Sequence, residues 1–267
     1  MSKDQYFTYS VIIPFKGSVE LLGRALDSIP DRADVQVLVA DDNETPAIFT
    51  PPFHRTAVEC FAVDEHRGAG HARNLALQKV RGRFILFCDA DDRFAPGAFD
   101  VFDRCLDAGN DITFFNVASV RLSGSGPAFR HLRKRFYLRR YMRCGNEDGL
   151  RYRWDAPWGK LYKATYVLDG GYVFGETPVS NDDLFSVHTG HNAKKIGVDV
   201  QQPVYVCTSR SGSLTSDKSR ETCLTNYRVH LEKLDYLRSI GRPDLCRRLW
   251  MHKLRLFLRC GFIKNYL

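Results

Sequence analysis

Asp89-Ala90-Asp91-Asp92 sets three carboxylates in four positions directly after the apolar run Phe84–Cys88 (FILFC). Crowded negative charge at the end of a hydrophobic strand is costly without a cation. Hard divalent ions such as magnesium or manganese prefer carboxylate oxygen and often share their coordination with phosphate. A D-x-D there can hold an ion with one carboxylate while the other reaches a ribose or a water. The bland alternative is a solvated turn and helix cap ahead of Pro96. A second apolar run, Val35–Ala40 (VQVLVA), ends in Asp41-Asp42-Asn43. Carboxylates there can accept hydrogen bonds from a base or ribose, or simply start an Asx-turn. Between the two lies Glu65–Asn74 (EHRGAGHARN). Its two glycines precede a helical pattern, so a phosphate could approach the backbone at a helix N-terminus, with Arg73 as a nearby cation. A third acidic cluster, Asn181-Asp182-Asp183, precedes Leu184, Phe185 and Val187 and would also cap a helix well.

These groups need a scaffold, and the first third of the chain supplies one. Ser10–Phe15, Val35–Ala40, Ala57–Val63, Phe84–Cys88 and Asp111–Arg121 have strand character. Val19–Ile29, Ala69–Val80 and Pro96–Ala108 carry apolar residues at helical spacing, the last with Pro in its first turn. Alternating strands and helices imply an α/β fold with a mainly parallel central sheet flanked by helices. In such sheets ligands bind beyond the carboxyl ends of strands, which is where the acidic residues fall. Ser123–Pro127 reads as a loop, residues 151–205 return to mixed α/β, and the chain from about 221 onward is helical and basic.

The ordered set of motifs resembles a family-2 glycosyltransferase with the GT-A fold, of the bacterial surface-polysaccharide type. The matching segments are Ser10–Phe15, Val35–Asn43, Arg67–Leu77 and Arg81–Pro96. Within them Gly68, Gly70, Ala72-Arg73-Asn74, Gly82, the D-A-D-D and Pro96 follow the family pattern. The likeness covers roughly the first 105 residues. One departure is Asn43-Glu44-Thr45, where the family often has Gly-Ser or Asn-Ser, and it bears on the donor base. The resemblance implies transfer of a sugar from a nucleotide diphosphate donor, usually UDP-linked, with inversion and with Mn2+ or Mg2+. It implies that Pro14, Asp41, Asp42, Arg73 and Asp89 meet the donor and that Asp91 ligates the metal. The pattern along the chain, without a repeat or a clear linker, gives a catalytic domain over 1–220, with a donor half (1–121) and an acceptor half (122–220), and a basic helical region over 221–267.

Inverting transfer also requires a general base for the acceptor hydroxyl, separate from the metal carboxylates. Ser180–Phe185 resembles the family's acidic-pair segment. Alignment on Phe185 makes Asp182 the base, and alignment on the acidic pair makes it Asp183. Trp154–Tyr162 (WDAPWGKLY) resembles the acceptor side of bacterial polysaccharide enzymes, with Trp158 and Lys160 as contacts, although a tryptophan there fits a core equally well.

Composition narrows the field further. The chain has 267 residues, 44% hydrophobic and 26% charged, as expected of a folded enzyme. Its 39 basic residues exceed 31 acidic ones, a net of +8 that attracts polyanions. The basic tract Arg130–Arg143, interleaved with aromatics, and Arg247–Leu267, an amphipathic pattern, could meet an anionic membrane or a lipid-linked diphosphate, or be ordinary helices. Eight scattered cysteines without a C-x-x-C pair argue against zinc and for free thiols in a reducing compartment. No apolar run approaches the length of a membrane span and no secretory leader stands at the start, so the expected location is the cytoplasm or the inner face of the plasma membrane. Two rivals fare worse. A sugar nucleotidyltransferase calls for a glycine-rich basic loop after the first strand, but only Lys16-Gly17-Ser18 stands there. A basic nucleic-acid module leaves three acidic clusters without a role.

Overall fold

The computed structural model describes residues 7–45, 57–122, 128–209 and 219–246. β1 (Phe7–Phe15) and β2 (Val35–Asp41) are apolar along almost their whole length because both faces are covered. With β3 (Val58–Ala62), β4 (Gly82–Phe87), β6 (Ile112–Phe115), β8 (Lys160–Lys163) and β9 (Ile196–Asp199) they form a seven-stranded sheet in the order β3-β2-β1-β4-β8-β6-β9. β3, β2, β1 and β4 run parallel. β8 runs antiparallel to both β4 and β6, and β9 runs parallel to β6. The carboxyl ends of every strand but β8 therefore lie along one edge. From β1 the chain moves outward to β2 and β3 and then returns to add β4 on the other side of β1. The strand order reverses there, and that reversal opens a crevice beyond the strand ends.

α1 (Val19–Asp27) buries Leu22, Ala25 and Leu26, and α2 (Ala69–Leu77) packs against β1 and β2. The expected α/β architecture is thus present. The helix expected over Pro96–Ala108 is shorter, α3 (Ala98–Asp103), followed by a single 3-10 turn over Leu106–Ala108.

The expected strand Asp111–Arg121 is two strands in two sheets. β6 is buried along its length inside the main sheet. β7 (Val117–Arg121) leaves to join β5 (Arg93–Phe94) and β10 (Tyr205–Ser209) in a small sheet ordered β5-β10-β7. Asn116 is the break. Its N–H donates to the Asp199 carbonyl at 3.2 Å, and its carbonyl accepts from the Val204 N–H at 2.9 Å. Distant backbone partners set this division, and they leave no trace in local periodicity.

α4 (Leu132–Cys144) and α5 (Asp148–Arg153) pack on each other. α6 (Ala164–Asp169) follows β8. α8 (Arg220–Ser239) is capped by Ser219, whose hydroxyl accepts from the Thr222 N–H at 3.2 Å. It packs on α7 (Asp183–Asn192), with Tyr236 against His188 at 4.2 Å between ring centres. Cysteines 60, 88, 105, 144, 207, 223 and 246 are free thiols. The expected loop at Ser123–Pro127 and the amphipathic segment Arg247–Leu267 lie outside the described residues. Among the described residues, no helix is long and apolar enough to cross a membrane.

Candidate active site

Arg73 is the hub. It projects from α2, is buried, and lies over the Phe174 ring at 5.2 Å. One guanidinium nitrogen donates to Asp89 Oδ1 at 2.6 Å and another to Asn181 Oδ1 at 2.9 Å. A single side chain therefore ties the acidic end of β4 to the residue preceding Asp182. α2 can come this close because Gly70 lacks a side chain: a Cβ there would run into the Gly175 carbonyl and the Asn181 side chain. Gly68, at φ 89°, starts the helix in a conformation that favours glycine. The seam continues through Glu176, which accepts from Arg67 at 2.9 Å and pairs with His71 Nδ1 at 2.9 Å. The His71 and Arg67 hydrogen bonds pull the Glu176 carboxyl down to about 2.

The three carboxylates of the D-A-D-D do different work. Asp92 is buried, accepting from the Tyr205 hydroxyl at 2.9 Å and from the Thr208 N–H at 2.6 Å. Tyr205 also accepts from the Asp89 N–H at 3.0 Å. Asp92 therefore pins the acidic turn to β10. Burial, then the charges of Asp89 and Asp91, push its carboxyl well above the usual range. Arg130 feels Asp92 and Asp89 in turn and donates to the Thr208 carbonyl at 3.2 Å. Asp89 and Asp91 remain partly open.

Among the described residues, no group of three or more His, Cys, Asp or Glu is arranged to hold a metal on its own. The donors nevertheless fit a shared ion. Asp89 and Asp91 add hard oxygens and concentrated negative charge, felt by Asp92. Magnesium-type ions are commonly held by one or two carboxylates, with substrate phosphates completing the shell.

At the end of β2 the expected pair separates into two roles. Asp41 makes the turn: its Oδ1 accepts from the Asn43 N–H at 3.0 Å and from the Asn43 amide at 2.6 Å. Asp42 is 2% exposed and neither carboxylate oxygen accepts a hydrogen bond. His66 Nδ1 stands 3.5 Å away. A buried carboxylate without donors is costly, so this group has unmet demand for a ligand donor. Pro14 is buried in β1 opposite Ala40, and the carbonyl of the next residue, Phe15, accepts from the Asp42 N–H at 2.8 Å. Asp42→Asn should relieve the cost: the ligand-free protein should melt about 2–4 °C higher for each kcal/mol released. Thermal unfolding of the two proteins without ligand reads the difference.

Asp182 and Asp183 also separate. Asp183 Oδ1 accepts from the buried Lys233 of α8 at 3.2 Å. Asp182 sits at the N-cap position of α7 but makes no side-chain cap hydrogen bond. Withdrawal from water, reinforced by Asp183, Asp155 and Asp89 and opposed by Arg73, pushes its carboxyl up to about 7. The electrostatic influence of Arg73 and Asp89 on Asp182 fits one shared cleft.

The structure corrects the expectation for Trp158 and Lys160. Trp158 is 4% exposed and stacks on Tyr205 with centroids 5.1 Å apart. Lys160 is 1% exposed, and its ammonium donates to the Trp154 carbonyl at 3.1 Å. Burial pushes its ammonium well below the ordinary value. Neither offers a face to an acceptor. The polar group nearby is instead Asp155, which pairs with Arg133 and Lys134 of α4. Lys134 foremost, then Arg133 and Lys233, overcome its burial and hold its carboxyl well below the usual range. Sequence reading missed Arg130, Asp155 and Tyr205, since each reaches the site through a fold contact far along the chain.

Three comparisons bear on this arrangement. The family model described as "Glycosyl transferase family 2" matches residues 10–163. Succinoglycan biosynthesis protein ExoO of Rhizobium meliloti (strain 1021) is 32% identical over 120 residues, covering 42% of this chain and 34% of that protein. Poly(ribitol-phosphate) beta-N-acetylglucosaminyltransferase TarS of Staphylococcus aureus (strain MW2) is 24% identical over 217 residues, covering 76% of this chain and 36% of TarS. The chain thus spans about a third of the length of the curated relatives it matches. Among solved structures, S. aureus TarS 1–349 in complex with UDP-GlcNAc superposes with a TM-score of 0.65 at 21% identity, covering 85% of this chain and 67% of that one. The mannosyltransferase PcManGT from Pyrobaculum calidifontis, in complex with GDP-Man and Mn2+, gives 0.60 at 14% identity over 95% of this chain and 73% of that one. These likenesses are to the fold.

Proposed function

This chain belongs to glycosyl transferase family 2, and on that premise we propose that it transfers a sugar from a UDP-linked donor to the hydroxyl of a glycan or lipid-linked acceptor in surface-polysaccharide assembly, with inversion. The observation that carries the reading is the Arg73 bridge, which draws the acidic end of β4 and the N-terminus of α7 to one crevice. Asp42, buried without a donor, is suited to receive the N–H of a base. Asp89, oriented by Arg73, is suited to a ribose hydroxyl. Asp91, with Asp89 adjacent, would hold a manganese or magnesium ion. That ion, when bound, would offset the negative charge that builds on the departing diphosphate. UDP is favoured over other nucleotides by the resemblance of the motifs and by the UDP-GlcNAc complex of TarS.

In this reading Asp182 takes the proton of the acceptor hydroxyl. The acceptor oxygen bonds to the anomeric carbon from the face opposite the diphosphate. The carbon–oxygen bond to the diphosphate breaks, and UDP leaves with the electron pair. A carboxyl near 7 suits a base at neutral pH. Asp183, occupied by Lys233, is the less suited of the two. The division into a donor half over 1–121 and an acceptor half over 122–220 follows from this assignment, because Asp42, Arg73, Asp89 and Asp91 fall in the first and Asp182 in the second. The free thiols fit a reducing cytoplasm. Exposed Leu132 and Phe136 on α4, beside Arg133, support contact with the inner face of an anionic membrane.

A donor screen tests the proposal. Thermal shift and donor hydrolysis are measured with UDP-, GDP- and dTDP-sugars, with and without manganese. A response confined to one UDP-sugar plus metal is the expected result. A response to GDP-sugars alone overturns the donor, and a metal-independent response overturns the role of Asp91.

A further inference from the structure

The break at Asn116 opens a cavity of about 420 Å³ beside α4 that plays no part in the site described above. Its walls are Arg135, Arg139 and Arg143, with Leu138, Met142 and Val200 between them and Asn116 at the base. The arginines fall at i, i+4 and i+8 of one helix, so they form a ladder along one side, with steps of roughly 6 Å.

Two observations point to a ligand. The first is unbalanced charge. On the other side of the same helix Arg133 and Lys134 are paired with Asp155. No ion pair within the described residues engages Arg135, Arg139 or Arg143, and α4 contains no acidic residue. The second is exposed apolar surface set among these cations, at Met142 and Val200. The cavity therefore combines a row of cations with apolar spacers. A chain of anionic groups separated by short carbon segments meets both demands.

Position gives the cavity a role. β6 and β9 run in the same direction as β4, so Asn116 and Val200 lie on the sheet edge that carries Asp89. β6 stands two strands from β4 and β9 three, so the cavity begins roughly 10–15 Å along the edge from the crevice. A bound polymer lying there could present its end or a nearby unit to Asp182.

We propose that the Arg135–Arg139–Arg143 cavity is a secondary binding site for a repeating polyanionic acceptor, one bearing phosphodiester or carboxylate groups. This rests on the glycosyltransferase reading for its purpose, but not for its test. Inorganic tripolyphosphate serves as the probe, titrated calorimetrically in saturating UDP without divalent metal, which tripolyphosphate would chelate, so that the nucleotide end of the donor crevice is filled. Wild type is compared with the triple variant Arg135→Ala/Arg139→Ala/Arg143→Ala and with the triple lysine variant. The alanine variant should bind the probe at least tenfold more weakly, with a shallower dependence on salt. The lysine variant should recover most of the affinity. UDP binding should be the same in all three, since none of these arginines lies in the donor crevice.

Equal tripolyphosphate affinity in wild type and the alanine variant overturns the site. So does arginine-dependent binding to vesicles containing phosphatidylglycerol when tripolyphosphate does not bind, since the cations would then serve a bilayer. If UDP fails to bind while tripolyphosphate binds through these arginines, the donor assignment fails and the anion site stands.

Discussion

Asp182→Asn should lower the transfer rate by about 10²–10⁴-fold while leaving UDP-sugar affinity close to wild type. In barrier terms that is about 3–5 kcal/mol. The asparagine keeps the shape of the N-cap position of α7 but cannot take a proton. Asp183→Asn should instead act on folding, because it breaks the pair with the buried Lys233 that joins α7 to α8. Single-turnover rates alongside UDP affinity separate the two variants. If Asp182→Asn turns over normally and Asp183→Asn does not, the base assignment is off by one residue.

The same carboxyl predicts two pH dependences. A base must be ionised to act, so the wild-type rate should rise with pH and level off above about 7. Stability should run the other way. A carboxyl raised from its ordinary 3.8 to about 7 favours the protonated folded state. That contribution is complete below about 3.8, declines as pH rises, and is gone above about 7. It amounts to at most about 4 kcal/mol, taking 1.36 kcal/mol for each pH unit. Asp182→Asn removes this dependence, so it should melt higher than wild type above neutral pH and with a flatter pH profile. Higher stability combined with lost turnover would mark a group held for chemistry at a cost to folding.

Asp91→Ala should remove the metal-dependent part of donor binding, weakening it by more than about 100-fold, since even partners that only orient metal ligands cost 10–100-fold. Affinity for UDP in EDTA should be unchanged. Asp92→Asn is the informative contrast. Asp92 is held by Tyr205 and Thr208, and burial and its acidic neighbours disfavour its charged form. A neutral amide of the same shape can take its place, so the metal response should persist. Isothermal titration of UDP with and without manganese reads both variants. Loss of the manganese effect in Asp92→Asn but not in Asp91→Ala would reverse the assignment of ligand and anchor.

Much of this was legible in the residues alone. The apolar runs Ser10–Phe15, Val35–Ala40 and Phe84–Cys88 are strands because a sheet covered on both faces demands continuous hydrophobicity, a local property of sequence. Their acidic ends could be read for the same reason, since carboxylates after such a run have few other places to go. The order of Gly68, Gly70, Arg73, Asp89 and Asp91 was enough to indicate the family.

Tertiary structure decided how residues of the same type divide their work. Asp41 turns the chain while Asp42 is left buried without donors. Asp92 anchors while Asp91 stays partly open. Asp183 meets Lys233 while Asp182 does not. Trp158 and Lys160 pass from expected surface contacts to core, because Tyr205 and the Trp154 carbonyl arrive from elsewhere. The split at Asn116, with the arginine-lined cavity it opens, follows from hydrogen bonds to Asp199 and Val204 more than eighty residues away. Sequence fixes what each side chain is able to do. Burial and distant partners then select which of those abilities is used, because charge and hydrogen bonding depend on neighbours that only folding brings within reach.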